Sequence, residues 1–165
     1  MTLILKISAL TIILFQPFVS SFGQGDIKTS TSHSLTIGRI NKICDSIDKN
    51  KSLSESIEEG ENVKNKNWSF ETYYLRDEHE GKVYRITHNI SEDKYRRTLF
   101  YYNNKKVIKA ILTITDKKVK YSAVYYFDNN RLIKKIGENI NYSNYKDILK
   151  QALDLQDHFY KDNHT

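Results

Sequence analysis

A nine-residue pattern occurs twice in this chain, and that repetition narrows its possible folds more than any other feature. Tyr101-Tyr102-Asn103-Asn104-Lys105-Lys106-Val107-Ile108-Lys109 recurs as Tyr126-Phe127-Asp128-Asn129-Asn130-Arg131-Leu132-Ile133-Lys134, at a constant offset of 25 residues. Each copy runs from an aromatic pair through an Asn/Asp-rich turn to a basic residue and an aliphatic pair. Asn and Asp tolerate the left-handed backbone of tight turns, so each copy predicts a β-hairpin. A fainter version places Tyr73-Tyr74 before Lys82-Val83-Tyr84-Arg85, with a longer loop between. A repeated hairpin buries little by itself and gains a core only by lying beside its neighbours. The expectation is a sheet of consecutive hairpins.

Side-chain alternation extends this to six strands over 68–75, 82–90, 95–102, 107–115, 119–127 and 131–136. Connections this short require antiparallel neighbours. Helical spacing brackets the strands. Over 34–59, Ser34 or Thr36 caps a helix whose stripe is Ile37, Ile40, Ile43, Cys44 and Ile47, continued through Leu53 and Ile57. Over 144–160, Asn144 caps a second helix with Asp147 in its first turn and Tyr145, Ile148, Leu149, Ala152, Leu155, Gln156 and Phe159 on one face. The predicted class is α+β: an antiparallel meander of about six strands flanked by an N-terminal and a C-terminal amphipathic helix, both on one face. On 107–115, Ile108, Ala110, Leu112 and Ile114 take one face, and Val107, Lys109, Ile111 and Thr113 the other.

The aromatic–turn–basic pattern resembles the hairpins of membrane-occupation-type repeats, without the glycines that define those arrays, and no function is carried across. Outside the meander, residues 1–23 read as an export signal. Lys6 gives a basic start, 7–15 an apolar run, Pro17 its end, and Ser21-Phe22-Gly23 a cleavage site before Gln24. Residues 24–33, rich in Ser and Thr, are expected as a flexible leader, and 34–165 as one α+β domain. The product is expected in the periplasm or secreted, with no transmembrane segment after cleavage.

One cysteine, Cys44, rules out an intrachain disulfide, so the domain must stand on its core. The formal charge of +6 admits anionic partners. Lys outnumbers Arg 20 to 6, however, whereas phosphate recognition leans on Arg forks, so nucleic acid is disfavoured. No P-loop, Gly-x-Ser-x-Gly or dinucleotide glycine pattern occurs. Cys44 falls on an apolar stripe, where a thiol is inert. Asp77-Glu78-His79-Glu80 is the densest group of metal-ligating side chains, but neighbours in a loop seldom converge on one ion and no EF-hand spacing is present. No catalytic residue, metal ligand or cofactor is nominated.

What remains is a surface. Tyr and Lys side chains on the mixed face of the meander, Tyr102, Lys109, Lys120, Tyr126 and Lys134, are candidate binding residues for a protein or an apolar ligand. The functional expectation is an exported, non-catalytic binding protein of the bacterial envelope or extracellular space, of inhibitor or immunity type. The alternatives are a periplasmic carrier of a hydrophobic ligand and a metal-dependent hydrolase using the loop at His79.

Overall fold

The computed structural model describes residues 24–61, 68–137 and 144–162. Its elements run α1 (Gln24–Lys49), β1 (Ser54–Glu61), β2 (Ser69–Asp77), β3 (Lys82–Ser91), β4 (Tyr95–Asn103), β5 (Lys106–Asp116), β6 (Val119–Asp128), β7 (Arg131–Gly137) and α2 (Tyr145–Asp162). The seven strands form one antiparallel sheet in chain order. The fold is therefore α+β, with one strand more than the alternation implies. The expected signal, 1–23, lies outside the described residues.

The extra strand is β1, in the span read as the end of the first helix. Asn50 makes the break. Its carboxamide oxygen accepts the Ser52 backbone N–H at 3.0 Å and the Ser52 hydroxyl at 2.7 Å, an Asx turn that competes with helix. Leu53 then packs beneath α1, and Ser54–Glu61 pairs with β2 along its whole length. At its other end α1 begins at Gln24, so 24–33, expected as a leader, is helical backbone.

All three hairpins that close at one end of the sheet carry the same irregularity. The register skips Tyr84 on β3, Ile108 on β5 and Ile133 on β7, each a single-residue bulge beside its partner strand. The bulge turns Val83, Val107 and Leu132 toward one face and Tyr84, Ile108 and Ile133 toward the other. Strict alternation therefore misplaces Val107 and Ile108, which exchange faces. The true counterparts of Tyr101-Tyr102 in the first hairpin are Leu75-Arg76, one pair later than the resemblance of Tyr73-Tyr74 suggests. Asn104 and Lys105, and Asn129 and Asn130, all have positive φ, as two-residue turns between twisted strands demand.

The helices lie on opposite faces, not on one. On the α2 side, Ile148, Ala152 and Phe159 meet Tyr74, Ile86, Phe100, Ala110, Leu112, Ala123, Tyr125 and Phe127 in the larger core. Asn144 caps α2 through its side chain to the Lys146 N–H at 3.2 Å. On the α1 side, Ile40, Cys44 and Ile47 meet Tyr101 and Tyr126, with Leu75, Leu99, Ile111, Val124 and others half-buried around them. The result is three layers: helix, sheet, helix. Among the described residues no helix is long and apolar enough to cross a membrane.

Candidate functional site

Four rows of side chains cross the α1 side of the sheet. The row nearest the bulged hairpin ends runs Glu55, Leu75, Arg85, Tyr101, Lys109, Tyr126, Lys134. This row is the seat of α1. Asp48 accepts Arg85 Nη1 at 2.7 Å on one carboxylate oxygen and the Tyr101 hydroxyl at 2.8 Å on the other. Asn41 Oδ1 accepts Lys109 Nζ at 2.9 Å and the Tyr126 hydroxyl at 3.2 Å. Lys109 Nζ also stands 5.4 Å from the Tyr126 ring centre. Asn41 and Asp48, seven residues and about two turns apart, thus carry two polar anchors across four strands.

The five candidate binding residues do not form one surface. Tyr102 is enclosed, 1% exposed, on the α2 side, where its hydroxyl donates to the Ala152 carbonyl at 2.8 Å. It is a core residue because plain alternation along β4 puts it, with Phe100, on the face opposite Leu99 and Tyr101. Lys109 and Tyr126 come together but lie under α1, occupied by Asn41. Lys134 and Lys120 are exposed on the α1 side, Lys134 opposite Tyr126 and Lys120 opposite Thr115 at the far end of β6.

Beside the seat of α1 lies a row that residue-by-residue reading misses: Ile57, Tyr73, Thr87, Leu99, Ile111, Val124, Ile136. It takes one residue from each strand and spans roughly 29 Å at ordinary strand spacing. Only Thr87 within it is not aliphatic or aromatic. Leu99, Ile111 and Val124 are half-buried along the helix, while Ile57 at the β1 edge is 53% exposed and Ile136 at the β7 edge 46%. Beyond it comes a polar row, Glu59, Glu71, Asn89, Arg97, Thr113, Ser122. Glu71 there accepts the Tyr73 hydroxyl at 3.0 Å and Asn89 Nδ2 at 3.2 Å. Ile111 and Val124 were visible as apolar members of a mixed face. Ile57 was not, because its strand read as helix.

The remaining reactive groups are committed to structure. Asp77 Oδ1 accepts the His79 and Glu80 backbone N–H groups at 2.9 and 3.0 Å, and the bond from Glu80 is the main reason its carboxyl is held below the usual range. Glu80 pairs with Lys82 at 2.8 Å. Among the described residues no three His, Cys, Asp or Glu side chains are placed to hold a metal ion. Burial pushes the Cys44 thiol up to about 12, against the nearby charge of Lys109. Burial, with Arg96 behind it, pushes the His88 imidazole down; its Nδ1 lies 2.9 Å from Thr72 Oγ1. His158 spans the gap from α2 to β1, 3.1 Å from Glu58. A cleft of about 370 Å³ between α2 and the sheet is lined by Arg96, Leu112, Ile114, Lys150 and Asp154, open to solvent.

No protein-family model, no curated protein and no solved structure significantly matches the chain.

Proposed function

We propose that this is an exported, non-catalytic binding protein whose partner, another protein, docks on the open half of the α1 side. One observation carries the proposal: an apolar row crosses all seven strands and only part of its width is covered by α1. Apolar area flanked by polar side chains is how protein-binding patches are built. Here Tyr73, Ile111 and Val124 supply the apolar strip, and Glu71, Asn89, Arg97 and Thr113 its rim. The helix, against which Leu99, Ile111 and Val124 pack, borders this strip, and the sheet makes its floor. A rigid antiparallel floor costs little ordering when a partner binds.

Export rests on residues 1–23, and the binding role on the surface of the folded part. A column carrying the processed chain should retain a protein from the organism's own envelope fraction. A second column with Ile111→Asp and Val124→Asp should lose it by at least about tenfold, since a buried unpaired carboxylate opposes docking. Lys150→Glu, on the far face, should retain it. Equal retention by all three columns, with circular dichroism showing the variants folded, would place the partner elsewhere and refute the docking face.

A further inference from the structure

The two free edges of the sheet carry opposite charge. β1 pairs only with β2, and β7 only with β6, so each leaves one row of backbone N–H and C=O groups unpaired by any described strand. Along β1 stand Glu55, Glu58, Glu59 and Glu61, with no basic residue. Along β7 stand Arg131, Lys134 and Lys135, with no acidic one. The exposed apolar residues match as well. Ile57 and Ile136 occupy the two ends of one row, 53% and 46% exposed, next to Glu55 and Lys134 at the two ends of the neighbouring row.

We propose that the partner at these edges is a second copy of this chain, with β7 of one copy adding to β1 of the next. Like charges along each edge oppose β1–β1 and β7–β7 pairing, the usual protection of an exposed edge. The same charges attract when unlike edges meet. An odd number of antiparallel strands makes β1 and β7 run the same way. A copy added with the same face outward therefore pairs in parallel, placing Lys134 beside Glu55 of its neighbour and Ile136 beside Ile57. The apolar row then continues from one molecule into the next. Such head-to-tail contact uses a different patch on each molecule and builds chains or closed rings in place of simple two-fold dimers.

Several of these charges already have local partners. Glu55 lies 3.3 Å from Arg85, Glu58 accepts the Tyr74 hydroxyl at 2.9 Å, and Lys135 stands over the Tyr125 ring. Lys134, Glu59 and Glu61 make no ion pair among the described residues. The contact is short, so it gains from a high local concentration and weakens with salt. This edge contact is independent of the docking face proposed above, since it uses the strand edges and not Ile111 or Val124.

Sedimentation velocity of the processed chain tests it. Association should be seen as concentration rises, and should weaken by about tenfold or more between roughly 0.01 M and 1 M salt, as the screening length falls from about 30 Å to about 3 Å. Lys134→Glu with Lys135→Glu should be monomeric, as should Glu55→Lys with Glu59→Lys. An equal mixture of the two variants should associate again, because each then offers the other a complementary edge. Under oxidation, a mixture of Ile57→Cys and Ile136→Cys chains should yield the 57–136 disulfide in excess over 57–57 and 136–136. The idea is overturned if the wild type stays monomeric at its solubility limit in low salt. It is overturned equally if the charge variants associate as the wild type does, or if the symmetric disulfides predominate.

Discussion

The two faces of one sheet are covered in different ways. On the α2 side the centre of the contact is closed: Ile86, Phe100, Val107, Ala110, Ala123, Tyr125 and Phe127 are sealed from solvent. Tyr102 there spends its hydroxyl on a helix carbonyl, and burial keeps its phenol protonated far above the ordinary range. On the α1 side the apolar contact is thin and the helix is held at two polar points, Asp48 and Asn41. Burial and then the Asp48 carboxylate raise the Tyr101 phenol, so it too stays a donor. Apolar area is non-directional and sets how much stability a face contributes; charged hydrogen bonds are directional and set where a helix sits. The α2 side is the foundation, and the α1 side is the part free to change.

Breaking that comparison is simplest at Phe100. Phe100→Ala empties the centre of the larger core, and the expected loss is about 3–5 kcal/mol in denaturant titration. A loss below about 1 kcal/mol would mean that the α2 side is not the main source of stability. On the other face Asp48→Ala removes both ends of an anchor whose residues are partly solvated, and about 1–2 kcal/mol is expected. Hydrogen exchange separates the two. Asp48→Ala should speed exchange in α1 while β4 and β5 stay protected, whereas Phe100→Ala should affect all of them.

Most of the elements, though not the contrast between the faces, were legible in the sequence. The repeat announced the hairpins, and the observed strands end within two residues of those read from alternation. The stripe Ile37, Ile40, Ile43, Cys44, Ile47 is the face that α1 buries. Three things were not legible. β1 has one apolar residue in eight, because an edge strand with a solvated outer face does not need more. The bulges at Tyr84, Ile108 and Ile133 obey no sequence alternation, yet they decide which face Val83, Val107 and Leu132 join. The opposite placement of the helices hid in Lys109 and Tyr126, polar-tipped residues that look solvated in sequence and are in fact the seat of a helix. The apolar row exists only once all seven registers are known.

A pH series sharpens the comparison with a smaller effect. His88 is on the α2 side, opposite Thr72 and Thr98 on the flanking strands, with Arg96 and Glu58 as the charges around it. Its pKa is lowered on folding, so between the folded and unfolded values the unfolded chain binds the extra proton. Stability therefore rises with pH through that window and is lost as pH falls below the unfolded value of about 6.5 toward the folded one. His88→Asn keeps a polar group near Thr72 without titrating. Its melting temperature should depend less on pH between about 7 and 5 than that of the wild type. An unchanged slope would locate the acid sensitivity in other groups.

The smallest expected effect lies outside both cores. Lys117 opens the turn between β5 and β6 with φ of 55°, a left-handed conformation in a residue with a full side chain. Its Cβ crowds the following carbonyl there, at a cost of roughly 1–2 kcal/mol that glycine avoids. Glycine in turn loses more backbone freedom on folding, roughly 0.5–1 kcal/mol. The balance predicts that Lys117→Gly stabilises by about 0.5 kcal/mol, seen as a small rise in denaturant midpoint at constant slope. This turn is exposed and lies at the opposite end of the sheet from the seat of α1. If the substitution altered exchange in α1 or α2, the two faces would be coupled through the sheet itself, and the separation drawn between them would fail.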